Sequence, residues 1–184
     1  MSHGSVTTSR ERLAARVNPA ARRASGVTLV ELMFALTVLG ILLAIGVPSF
    51  RGASLSSRLS AIANDLHASV QIARSEAIKS NTTVTLCTST NGSSCAASGD
   101  WEQGWIVLDV NDNVIDSHPA LQDGYRVIEA SGTEELLFQP IGVGASAAAF
   151  KVCREDPLGE QERAVTITGT GLAYVTRTEI GTCP

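Results

Sequence analysis

The 184 residues contain no Cys-x-x-Cys pair, no Gly-x-Ser-x-Gly turn and no glycine-rich phosphate-binding loop. The first absence, with cysteines spaced by eight and thirty, leaves no common zinc site. The second leaves His67 and His118 without a strained nucleophile to activate, and both read as surface histidines: His67 among helix residues, His118 before Pro119 in a loop. The third removes nucleotide-driven chemistry. The chain therefore reads as non-enzymatic, with no cofactor and no metal.

Charge is also missing where it matters most. The 21 residues from Val27 to Val47 hold a single charged side chain, Glu31. As a helix they rise about 32 Å, enough to cross a hydrocarbon core of about 30 Å. A carboxylate inside such a span costs roughly 2.5 to 3.5 kcal/mol and is normally retained only where it finds a partner. Upstream lie Arg10, Arg12, Arg16, Arg22 and Arg23 against Glu11 alone, so the leader stays cytoplasmic and everything after Pro48 is exported. A secretory signal cut near Ala44-Ile45-Gly46 is one alternative, but the run is longer than a usual signal core and carries an acid near its start. An ordinary anchor with an incidental Glu31 is another. Neither explains why Gly26 stands five positions before Glu31.

Gly26, the following Val27-Thr28-Leu29-Val30-Glu31, the basic leader and Pro48 together resemble the class III signal of type IV prepilins and type II secretion pseudopilins. The resemblance implies that a prepilin peptidase cuts between Gly26 and Val27 and N-methylates Val27. It further implies that Glu31 pairs with the free amine of a neighbouring subunit, which offsets its burial and sets axial register.

Beyond Pro48 the pattern changes. Leu55, Leu59, Ile62, Leu66, Val70, Ala73 and Ala77 recur every three or four residues and form one apolar stripe on an amphipathic helix. Arg58, Asp65, Arg74, Glu76 and Lys79 are its solvated remainder. Pro48 is expected to bend or loosen the helix where it leaves the membrane. From Thr82 the text turns to short runs rich in Val, Ile, Thr and aromatics: 82–88, 104–110, 125–130, 135–139, 150–154, 164–168 and 172–177. Antiparallel hairpins join such strands economically, and apolar alternates such as Trp105, Val107, Val127, Leu137, Phe138, Val165 and Ile167 are expected to cover the helix stripe.

Asp65-Leu66, Ala73-Arg74-Ser75-Glu76-Ala77-Ile78, Val84-Thr85-Leu86-Cys87 and Trp101-Glu102-Gln103-Gly104-Trp105-Ile106-Val107 resemble the GspH/FimT/FimU group of minor pilins and pseudopilins. The similarity runs from Gly26 to about Val110. It implies an α+β pilin-like fold in which a long N-terminal helix, transmembrane then amphipathic, packs on small antiparallel β-sheets. The expected parts are a cleaved leader 1–26, a transmembrane helix half 27–47, an amphipathic half 48–80 and a periplasmic β-rich domain 81–184. It also implies an inner-membrane, single-pass protein that joins other pilins or pseudopilins to start or cap a filament. A pseudopilin of a type II secretion system and a DNA-binding pilin for transformation remain the alternatives.

Four cysteines, Cys87, Cys95, Cys153 and Cys183, all fall on the exported side and read as two disulfides. Three pairings are open; proximity favours Cys87 with Cys95 and Cys153 with Cys183. Asp109-Val110-Asn111-Asp112-Asn113 with Asp116 starts like a calcium loop, but Val114 and Ala120 stand where Gly and a bidentate Glu are needed, so a polar turn is the simpler reading. Without its leader the chain holds nine basic and 17 acidic residues, near −8, the wrong sign for a surface that attracts nucleic acid overall. A local patch of Arg177, Arg163, Arg154 and Lys151 is the candidate DNA contact. Glu155, Asp156, Glu160, Glu162 and Glu179 interleave with it.

Overall fold

The computed structural model describes residues 26–141, 145–155, 162–178 and 183, with the side chains of 47–51 excepted. The leader up to Ser25 and its arginines lie outside the described residues, as do Asp156, Glu160 and Glu179. The chain divides into two compact units, Met1–Ala44 and Ile45–Pro184.

One helix, α1, spans Leu29–Ser80. Its start is set by Thr28, whose hydroxyl accepts the Glu31 N–H at 3.2 Å and whose carbonyl accepts the Leu32 N–H at 3.1 Å. A threonine in that position satisfies a donor the helix cannot, typically for about 1 kcal/mol. Its end is set by Asn81, which takes a left-handed φ of 54°, and by the Ser80 hydroxyl, which returns to the Glu76 carbonyl at 2.7 Å.

Among the described residues of the second unit, eight strands form two antiparallel sheets. β1 is Val84–Thr88, β2 Trp105–Leu108, β3 Val114–His118 and β5 Glu135–Phe138, in spatial order β3-β2-β1-β5. β4 is Tyr125–Glu129, β6 Ala148–Arg154, β7 Glu162–Ile167 and β8 Ala173–Thr178, in order β4-β6-β7-β8. A 3₁₀ turn at Trp101–Gln103 leads into β2. One core joins the helix to both sheets: Leu59, Ile62, Leu66, Val70, Ala73 and Ala77 meet Leu86, Trp105, Phe138, Phe150, Val165 and Ile167. The stripe expected of the helix is thus the buried face, with Leu55 only half-buried.

Three expectations need correction. Val114–His118 is a strand, not loop, because it pairs antiparallel with β2 from His118 opposite Trp105 to Val114 opposite Leu108. Leu137 is 41% exposed while Leu136 and Phe138 are buried. Alternation along β5 cannot place adjacent residues on one face, so only one of Leu137 and Phe138 could enter the core. β6 also starts earlier than expected, because Ala148 and Ala149 pair with Ile167 and Thr166.

Glu129 supplies the clearest pH dependence. This buried carboxylate accepts the Ser131 N–H at 2.7 Å, the Ser131 hydroxyl at 2.6 Å, the Thr133 N–H at 2.9 Å and the Ala149 N–H at 3.4 Å. Burial pushes its pKa up, but the bonds from Ser131, Thr133 and Ala149 outweigh that and leave it below the ordinary value of 4.5. Its stabilisation is therefore complete above pH 4.5 and lost as pH falls through the lower folded value. Glu129→Gln is expected to lower the unfolding free energy at neutral pH by about 1.5 to 3 kcal/mol, the worth of charge-assisted bonding. Denaturation curves across pH should show that gap closing in acid.

Candidate functional site: the apolar helix start and the basic face of the second sheet

Val27 and Thr28 precede the helix outside any regular element, and Gly26 has no described atom within 4 Å of where a Cβ would stand. From Leu29 to Gly46 the helix has a mean hydropathy of 2.4 and none of it is buried. Its large side chains from Val27 to Ile45 are between 50% and 74% exposed. Length and composition suit a membrane span. Glu31 sits in the first turn of this surface, also exposed, three residues after the Thr28 cap. The first-turn position favours a carboxylate because unsatisfied N–H groups and the helix dipole gather positive charge there.

The cysteines are joined as Cys87 to Cys95 and Cys153 to Cys183. The first bond closes a polar loop in which Asn91 accepts the Ser93 and Ser94 N–H groups. The second ties β6 to the end of the chain.

The four candidate DNA contacts do not all lie on one face. Residues opposite each other in a ladder share a face. Arg163 lies opposite Val152 and Arg177, whereas Lys151 lies opposite Ala164 and so points the other way. Lys151 stands 3.8 Å from the buried Glu162, and the Arg154 guanidinium lies 5.2 Å over the Tyr125 ring. Arg163 is 7% exposed and turned inward, so it is not a surface contact. Its guanidinium donates to Ser60 Oγ at 3.1 Å, Ser56 Oγ at 3.0 Å and the Glu162 carbonyl at 3.0 Å. Arg177 is exposed.

Both histidines are half-buried rather than free on the surface. His67 is half-buried with Nε2 3.2 Å from the Ala173 carbonyl. His118 stacks on Trp105, with ring centroids 4.0 Å apart and planes 6° apart, and its Nε2 lies 3.4 Å from Asp65. Trp105 Nε1 donates to Ser69 Oγ at 3.0 Å, and that hydroxyl donates to Asp116 at 2.7 Å. Ser69 is thus committed to Trp105 and Asp116 rather than to an imidazole. The arrangement braces α1 against β2 and β3 and offers no activated nucleophile. Gly104 makes it possible: at a φ of 109° a Cβ there would stand 2.7 Å from the His118 carbonyl oxygen.

The Asp109 loop likewise turns on itself. Its carboxylate accepts the Asn111 N–H at 2.7 Å, the Asn113 N–H at 2.8 Å and the Asn113 side-chain amide at 2.8 Å. Those bonds, led by the Asn113 side chain, hold its pKa below the ordinary carboxylate value. Among the described residues no group of three His, Cys, Asp or Glu side chains is placed to hold a metal.

A family model described as type II transport protein GspH matches residues 63–171, and one for the prokaryotic N-terminal methylation motif matches residues 21–47. No curated protein gives a significant sequence match. Among solved structures, the type IV minor pilin FimU of Pseudomonas aeruginosa is similar at 21% identity and a TM-score of 0.51, covering 64% of this chain and 92% of that one. A second crystal form of FimU gives 20% identity, a TM-score of 0.51 and coverage of 65% and 89%. The minor pseudopilin EpsH from the type 2 secretion system of Vibrio cholerae gives 12% identity, a TM-score of 0.48 and coverage of 64% and 95%. With the GspH model spanning more than half of its length, the chain belongs to the GspH/FimT/FimU family of minor pilins and pseudopilins.

Proposed function

We propose that this chain is a minor type IV pilin that helps to initiate or cap filament assembly. It enters the inner membrane with its leader in the cytoplasm and its β-rich unit in the periplasm. Prepilin peptidase cuts between Gly26 and Val27 and methylates Val27, and the subunit then joins other pilins. The observation that supports this best is the exposed apolar helix carrying one carboxylate in its first turn. Such a surface is stable only against lipid or other apolar helices, and its Glu31 calls for a cationic partner there. A cleaved N-terminus supplies that cation.

Glu31→Ala tests the partner. The variant is expected to be cleaved at Gly26 as usual but to reach filaments at about a tenth of the normal level or less, the loss of one charge-assisted bond in an apolar setting. Comparing membrane and sheared filament fractions measures this. Normal incorporation would remove the register role of Glu31.

The description of the matching family as a type II transport protein favours a second machine, the pseudopilus of a secretion system. Both readings share the same membrane chemistry. Crosslinking the chain to its neighbours in native membranes distinguishes them by which subunits are recovered.

A further inference from the structure

The stretch from Gly46 to Ser60 is a poor helix former on composition: two Gly, one Pro and five Ser in fifteen residues. It is nevertheless helical throughout. Described apolar anchors are sparse there, with Leu59 buried, Leu55 half-buried, and Ala53, Ser54, Ser57 and Arg58 exposed.

Arg163 compensates. It reaches from β7 to two serines one turn apart on α1, donating from Nε to Ser60 Oγ at 3.1 Å and from Nη2 to Ser56 Oγ at 3.0 Å, with the Ser56 carbonyl at 3.5 Å. Ser60 Oγ in turn donates to the Ser56 carbonyl at 3.0 Å. The fork is fixed at its root by a bond from Nη1 to the Glu162 carbonyl. Ser56 is the most N-terminal helix residue that a described side-chain hydrogen bond ties to a sheet. Arg163 accordingly holds the C-terminal end of the weak stretch, where the helix meets the sheets.

We propose that Arg163 is a tether that holds α1 helical at Ser56–Ser60 and sets the point at which the helix parts from the sheets. A planar guanidinium with several donors in fixed geometry suits this work, and a lysine in the same place does not. Arg177, opposite Arg163 in the β7–β8 ladder, opposes the tether, because like charges directly across a ladder repel. Burial first, then the Arg177 charge, lower the Arg163 pKa in keeping with that opposition.

Hydrogen exchange on the full chain in detergent micelles tests the tether. Arg163→Met, which keeps length and apolar stem, is expected to speed exchange of the amides around Ser57–Ser60 by about tenfold or more, the loss expected when hydrogen bonds to a charged group are removed. Arg163→Lys is expected to fall close to Arg163→Met. Arg177→Gln is expected to shift the same amides the other way. Amides of β1 and β2 serve as the internal control and should hold their protection. Unchanged exchange at Ser57–Ser60 in Arg163→Met would overturn the proposal. So would equal acceleration in β1 and β2, which would make Arg163 a general core residue rather than a tether.

Discussion

Trp105→Ala is expected to lower the stability of the β-rich unit by about 3 to 5 kcal/mol, the usual cost of emptying a large buried aromatic site. Against a total of about 5 to 15 kcal/mol for a typical domain, that takes the unit to the edge of folding. The ring is 0% exposed and sits in the core between helix and sheet. Its loss also removes the stacking surface of His118 and the donor to Ser69. Trp105→Phe separates these effects, since it keeps a ring but no N–H; Ser69 remains bonded to Asp116, so the cost should fall to about 1 to 2 kcal/mol. Denaturant unfolding in detergent, followed through Trp101, measures both. A loss under about 1 kcal/mol for Trp105→Ala would mean that the brace between α1 and β2 carries little weight.

Gly26→Ala has the other large expected effect, an all-or-none one. In cells holding prepilin peptidase the variant should stay at full length, with no species starting at Val27 and no methylated amine. Gly26 and Val27 are exposed and lie just outside the helix, where no helical hydrogen bond has to be broken to reach the bond between them. A Cβ at Gly26 meets no described residue within 4 Å. Any failure of cleavage is therefore recognition by the peptidase rather than misfolding. Mass measurement of the purified variant settles it, and normal trimming would remove the assigned leader.

Much of the fold is legible because periodicity reports burial directly. The helix stripe from Leu59 to Ala77 is apolar at each turn and needs no knowledge of its partner. β3 is not legible in the same way. Val114-Ile115-Asp116-Ser117-His118 has only two apolar residues, lies at a sheet edge and becomes a strand through its pairing with β2. Arg163 misleads for a related reason: an arginine among acids reads as solvent-facing, and only two serines one turn apart on another element turn it inward. The Thr28 cap carries a local signal, since Thr-x-x-Glu before an apolar run marks a helix start, yet Glu31 draws attention as a charge in lipid instead. A residue with two simultaneous roles shows only its louder one in a sequence.

The bare apolar flank from Val27 to Ile45 has one more implication. Acyl tails are about as oily as leucine, so swapping one coat for the other releases almost no solvent-ordering free energy. For the filament subunit proposed above, oiliness alone therefore gives little preference between fibre and bilayer, and close packing together with the charge at the polar tip must supply the direction of travel.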